Sequence, residues 1–273
     1  MSASPDVTIR DLTTLEEYQE CCELQEETWG RGFSERVPAA ILRVGQKVGG
    51  VTAGAFDGNG RMLGFVFGLT GVRGGRLSHW SDMLAVREDA RGHRIGERLK
   101  HYQREQVLAL GVEVMYWTFD PLVSRNAHLN LNRLGARVAE YIEDMYGSNT
   151  RSPVHGTVPT DRFVAEWELR PHMPPPFPGA DLADGDAADA PLLNPLDGAG
   201  RPTARPAEGA RIVRLQIPVD SSSLHQQGAD LPIAWRLAVR GVVVPLLASG
   251  YRVTRFVRAR EGSLPYYVLT SQP

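Results

Sequence analysis

Within the six residues Arg91-Gly92-His93-Arg94-Ile95-Gly96 the chain gathers three basic side chains and two glycines. Cations beside pliable backbone suit the binding of an anion. The apolar stretch from Met83 to Val86 before them reads as a strand. After them Ile95, Leu99, Tyr102, Ala109 and Leu110 recur at helical spacing up to Gly111. A turn that opens a helix presents free N–H groups and the positive end of the helix dipole. Strand, basic glycine turn and helix together fit a pyrophosphate. Just upstream stand two candidate bases, His79 and Asp82. An unperturbed histidine titrates at about 6.5, whereas Asp82 would need burial to raise its pKa. Three residues apart on a regular strand, the two point to opposite faces, and only a bulge brings both to one site.

The rest of the chain supplies the elements that must hold these residues. Val7 to Arg10 reads as a first strand, and Thr14 with Glu17 as a capping box ahead of a helix. A second helix starts at Pro38. Strands at Val51–Phe56 and Met62–Thr70 flank Asp57-Gly58-Asn59-Gly60, a hairpin signal. Another turn at Arg73-Gly74-Gly75 leads into the strand that ends at Val86. Beyond the central helix, Val112–Phe119 reads as a buried strand, so this strand-helix-strand unit implies a parallel crossover. A helix over Ser124–Leu134 and strands near Arg137–Ile142 and Arg162–Leu169 follow.

This order resembles the GNAT superfamily of N-acetyltransferases. Its acyl-CoA-binding signature is Gln/Arg-x-x-Gly-x-Gly/Ala after an LxV strand, matched by Leu84-Ala85-Val86, Arg91 and Gly96, with Arg94 in place of the middle glycine. A further family pattern, N-x-x-A-x-x-x-Tyr-x-x-x-Gly-Phe, is met by Asn126 and Gly135, while Leu131 stands at the tyrosine step. The resemblance covers roughly Val7 to Leu169. Pro159 to Leu169 (Pro-Thr-Asp-Arg-x-x-x-x-Trp-x-Leu) also looks like a less-studied branch with a C-terminal extension. The resemblance implies an α/β mixed-sheet acyltransferase fold and acetyl-CoA or succinyl-CoA as co-substrate. It implies cofactor contacts at Leu84, Val86, Arg91, Gly92, His93, Arg94, Ile95, Gly96 and Asn126, with Asp82 or His79 as base. The acceptor would be the amine of a small molecule such as an amino acid, acylated by direct transfer. Tyr141 and Tyr146 are the candidates to replace the missing acid. The alternative is a non-catalytic acyl-CoA-binding or assembly protein, a reading that Arg94 and Leu131 favour.

Composition sets the bounds. The chain has 273 residues, 42% of them hydrophobic and 23% charged, with a formal net charge of −2. These values suit a globular protein and argue against a nucleic-acid or membrane surface. Cys21 and Cys22, the only cysteines, are adjacent and offer neither a disulfide framework nor metal-ligand spacing. That usage and the lack of an apolar leader give a cytoplasmic expectation. Metal spacing, nucleophile elbow and Walker turn are all missing from the pattern. Residues 1–170 are expected as the transferase domain and 171–210, rich in Pro, Ala, Asp and Gly, as a linker. Residues 211–273 then form a small strand-helix-hairpin subdomain in which Pro245 interrupts the helix; its hairpin is compatible with a homodimer.

Overall fold

The computed structural model describes residues 6–147, 158–170, 184–228, 230–259 and 262–271. In chain order the elements are β1 (Thr8–Asp11), α1 (Leu15–Trp29), α2 (Ala39–Lys47), β2 (Val51–Phe56), β3 (Met62–Arg73), β4 (Arg76–Val86) and α3 (Ile95–Ala109). There follow β5 (Val114–Phe119), α4 (Ser124–Ala127), β6 (Arg137–Ile142), β7 (Arg162–Glu168), α5 (Asp184–Asp189), β8 (Ile212–Gln216), α6 (Asp230–Ala248), β9 (Tyr251–Val257) and β10 (Tyr266–Ser271). One mixed sheet has the order β1-β2-β3-β4-β5-β7-β6, and a second has β8-β10-β9. The α/β mixed sheet and the extra C-terminal sheet are those expected from the sequence. By contact density the chain divides into two units. One holds the described residues up to Trp117 and Trp167–Arg170, and the other the remainder.

In the first unit short turns join β2, β3 and β4 into an antiparallel meander, and β1, separated from β2 by α1 and α2, pairs antiparallel with it at the edge. At Asp57-Gly60 the Asp57 carboxylate accepts the amides of Asn59 and Arg61 at 2.9 Å, which fixes the β2–β3 hairpin. Thr14 and Glu17 form the anticipated capping box at the start of α1. Glu17 also takes the Arg10 guanidinium at 2.6 Å, and that bond drops its carboxyl to about 2. Tyr18, Cys21 and Leu24 of α1 pack with Leu42 of α2 against Phe56, Met62, Phe65, Phe67, Met83 and Ala85 of the sheet. This core occupies the α1/α2 face of β4. α3 covers the other face, and only after it does the chain return as β5, parallel to β4.

The second unit is organised around α6. Its length and mean hydropathy of 1.6 are enough to cross a membrane. Its arginines say otherwise: Arg236 donates to both oxygens of Asp120 at 2.9 and 2.7 Å, and Arg240 donates from Nε to Asp161 at 2.9 Å. Burial pushes both carboxyls up, but the charges of Arg236 and Arg162 on Asp120 and the bond from Arg240 to Asp161 outweigh it, leaving both groups below their ordinary value. Tyr267 of β10 is fully buried and donates to the Pro121 carbonyl at 2.8 Å. α6 runs through Pro245 to Ala248, where the sequence suggested an interruption. Pro245 has no N–H to give the Gly241 carbonyl, so the helix continues with one backbone bond fewer.

Residues 171–183 of the expected linker lie outside the described residues. The described remainder packs instead of standing free. Asn194, wholly buried, trades three hydrogen bonds of 2.8 Å with Gln216, and Leu193 is 2% exposed. The proline-rich composition hid these few anchoring residues.

Replacing Arg236 by Ala would leave Asp120 facing only Arg162, which lies 3.5 Å away. A loss of about 3 kcal/mol in urea denaturation is expected, the cost of stripping one partner from a buried ion pair. Arg240→Ala should cost less, because that side chain is 24% exposed.

Candidate active site

Everything at the candidate site follows from the register of β4. From Gly64↔Val86 to Phe67↔Met83 each residue of β3 faces one of β4; the next pair is Gly68↔Ser81, so Asp82 has no partner. This is the bulge that the spacing of His79 and Asp82 would need. It also moves the residues beyond it to the opposite face. Met83 and Ala85 turn into the α1/α2 core. Leu84 and Val86 turn to α3, where their side chains lie 3.4 and 3.9 Å from the position a Cβ would take on Gly96. Ser81, before the bulge, meets α3 as well, through Lys100.

Asp82 therefore does not share a face with Leu84 and Val86 as a regular strand would require. Its side chain takes a hydrogen bond from Trp80, and Glu35 is its charged neighbour. Surrounding protein pushes its carboxyl above the usual range, followed by a smaller opposing effect from Trp80. Water nonetheless reaches the residue, which is exposed, and hydration limits the rise. An accessible carboxylate with a raised pKa suits a general base.

His79 has a different place. It is 0% exposed. Its Nδ1 lies 3.0 Å from Thr70 Oγ1, and its Nε2 lies 3.0 Å from Gln103 Nε2. Thr70 gives its own proton to the Gly49 carbonyl at 2.6 Å. Nδ1 must then donate and Nε2 accept from the Gln103 amide, which is the neutral imidazole. Burial above all drops the His79 pKa to about 3. This histidine is a packed core residue held beneath α3, so the role of base that its residue type suggested does not suit its surroundings.

Gly68 makes that layer possible. A Cβ there would stand 2.2 Å from His79 Nε2 and 2.6 Å from the Trp80 carbonyl.

The basic turn lies where the sequence placed it. Arg91, Gly92, His93 and Arg94 are exposed, Ile95 is buried and anchors α3, and Gly96 is half-buried. No side chain caps the N-terminus of α3, so its first amides stay available to an anion. Gly92 and Arg94 both take left-handed backbone, at φ 91 and 57. The position where the family motif has its middle glycine is thus one that glycine suits, and Arg94 occupies it under strain.

β4 and β5 pair only at His79↔Met115 and Trp80↔Tyr116. Ser81 and Trp117 are the next residues on the two strands, and beyond Trp80 and Tyr116 the two strands share no further pair. Leu84, Val86, Gly96 and the basic turn all belong to this side of β4. Trp117 and Trp167 are buried and meet edge to face at 6.2 Å, as core residues.

Asn126 belongs to the second unit, half-buried on α4. The helix expected over Ser124–Leu134 is α4 continued by one wide π turn, His128–Arg133, which carries Leu131. Neither tyrosine is a free acid. Tyr141 donates to Asp161, and burial, followed by that carboxylate, drives its pKa far up. Tyr146 shares a bond of 2.9 Å with Thr118. Among the described residues no cluster of His, Cys, Asp or Glu could hold a metal. The residues missed by sequence reasoning are Ser81, Lys100 and Gln103. For Lys100 and Gln103 the only signal was polarity on the apolar face of α3; Ser81 on β4 gave none.

Two outcomes test this layer. The folded state leaves His79 unprotonated down to about pH 3, whereas an unfolded histidine binds a proton below about 6.5. Stability should therefore fall as pH drops through this window, by about 1.4 kcal/mol per unit at most from this group. Denaturant titrations of His79→Gln should show a shallower slope. Gly68→Ala should cost about 1–3 kcal/mol through overpacking.

No protein-family model matches the sequence, and no curated protein matches it. Among solved structures the chain is similar to one described as the NatC complex bound to Gag peptide and CoA, at 18% identity and a TM-score of 0.47, over 60% of this chain and 99% of that one. It is similar also to aminoglycoside 6'-acetyltransferase type Ii, at 15% identity and a TM-score of 0.47, over the same shares. A third is Ard1 from Thermoplasma volcanium, at 12% identity and a TM-score of 0.46, again over 60% and 99%.

Proposed function

We propose that the chain is an acyl-CoA-dependent N-acyltransferase of the GNAT type. It would carry an acetyl or succinyl group to the amine of a small molecule such as an amino acid. The observation that supports this most is the two-pair ladder between β4 and β5 beside the Asp82 bulge, with the uncapped basic turn at the other end of the same strand. An acyl thioester needs those three things in that order: a cradle for phosphates, an open strand edge for its arm, and a polar break where the carbonyl reacts.

In this reading Arg91 to Gly96 hold the pyrophosphate, and Leu84 and Val86 line the arm. Asp82 removes the proton from the attacking amine. The backbone N–H freed from the ladder at the bulge bonds the carbonyl oxygen as it gains charge. The chain supplies no tyrosine acid at Leu131, and a thiol of pKa about 8.5 is a tolerable leaving group. Transfer is then direct, and both cysteines stand on α1, away from β4 in sequence. We place the reaction in a reducing compartment such as the cytoplasm.

A second reading, an acyl-CoA-binding protein without turnover, draws on Arg94 under strain in the turn and on Leu131.

A thermal-shift titration with CoA, acetyl-CoA and succinyl-CoA tests the cofactor. At a hundred times the dissociation constant, binding adds about 2.7 kcal/mol, a shift of roughly 5–10 °C. Asp82→Asn should keep that shift and lose about 100-fold or more in transfer to an amine panel. A shift without turnover on any amine would favour the binding protein, and no shift with any of the three would remove both readings.

A further inference from the structure

On the side of β4 that meets α3, a second base stands beside a hydroxyl. Lys100 is 3% exposed, and its Nζ lies 2.7 Å from Ser81 Oγ. The same nitrogen sits 3.9 Å from the centre of the Trp117 ring. Among the described residues no carboxylate pairs with it, and burial alone pushes its pKa far down. A lysine in that state is a neutral amine with a lone pair. A hydroxyl at 2.7 Å is within the range at which a base activates a serine. Trp117 fixes the amine from below, as the third member of such a pair does.

The position matters as much as the distance. Trp80 and Tyr116 are the last paired residues of β4 and β5, so Ser81 and Trp117 are the first residues past the pairing. The residue after Ser81 is Asp82, which the register leaves unpaired. The backbone amide directly after a nucleophile is the one placed to stabilise an acyl oxyanion. One turn along α3, Gln103 is fully buried and its Oε1 has no hydrogen-bond partner, so the layer holds an open acceptor for one more donor. His79, the titratable group that faces Lys100 within this layer, is neutral and offers Lys100 no counter-charge.

We propose that Ser81 and Lys100 form a nucleophile–base pair that takes the acyl group from the thioester when no amine is bound, giving the protein a slow acyl-CoA-cleaving activity. It rests on the reading that an acyl-CoA reaches this end of β4. Ser81 Oγ bonds to the acyl carbon while its proton passes to Lys100 Nζ. The carbon–sulfur bond breaks, and the thiolate takes the proton from Lys100 and leaves as the free thiol. Water then attacks the acyl-serine ester and passes a proton to Lys100 Nζ; the bond between the acyl carbon and Ser81 Oγ breaks, Oγ takes that proton back, and the acid departs. Burial keeps water scarce, so the second step is slow and the acyl-serine accumulates.

The test is acetyl-CoA with the intact protein and no amine, read by thiol release and by peptide mass. About one equivalent of thiol per chain and one acetyl group on Ser81 are expected, the group being removable by alkaline hydroxylamine as an oxygen ester is. Ser81→Ala and Lys100→Met should abolish the label while the CoA-induced thermal shift persists. Labelling of Lys100 itself overturns the proposal, and so does labelling of Ser81 that survives at an unchanged rate in the Met variant, which fills the place of Lys100 but cannot accept a proton. Binding of CoA with no label on the natural chain overturns it too, and leaves the transferase reading standing. Absence of CoA binding overturns both.

Discussion

Asp82 is the one residue of β4 that β3 does not pair, and the faces of the strand exchange around it. Without that extra residue Leu84 and Val86 would point into the apolar core under α1, and Met83 and Ala85 would point to α3. A one-residue slip moves every side chain beyond it to the other face, so a bulge is a structural decision with many consequences. Here it puts polar residues under α3 on one side of the break and the lining of an open strand edge on the other. It also leaves one carboxylate, that of Asp82, outside both. The two-pair contact between β4 and β5 depends on the same local distortion, since a strand that kinks cannot keep a long parallel ladder.

The two units solve the burial of polar groups in opposite ways. In the second, charge is matched by charge: Arg162 and Arg236, both buried, share Asp120, and Asp161 takes Arg240 and Tyr141. Under α3 there is no matching. His79 and Lys100 are instead stripped of protons by dry surroundings and joined to neutral partners, Thr70, Gln103 and Ser81. A matched cluster fixes a geometry. A deprotonated one retains lone pairs, and lone pairs are what proton transfer requires.

Much of this was legible in the sequence because it rests on local signals. The capping box at Thr14, the Asp57-Gly60 hairpin and the turn at Arg91 each announce themselves within six residues. The bulge did not, because a register is a relation between two strands and neither β3 nor β4 alone encodes it. Its neighbour His79 was misjudged for the same reason: residue type suggested a base, whereas its burial depends on Gly68 across the ladder and Gln103 on α3. Composition misled in residues 184–210, where Leu193 and Asn194 are anchors too few to register against the prolines.

Lysine usage sharpens the contrast. Lys47 and Lys100 are the only lysines among 30 Lys and Arg residues, so the chain writes nearly all its cations as arginine. An arginine at position 100 would stay charged whatever its surroundings and would need a carboxylate, as Arg236 does in the second unit. α3 offers none there; it offers a serine hydroxyl and an indole face. Only a side chain able to shed its proton can be buried in that place at a tolerable cost. One of the two exceptions to the chain's own habit therefore falls where the fold demands a removable charge, next to the residue where β4 slips its register.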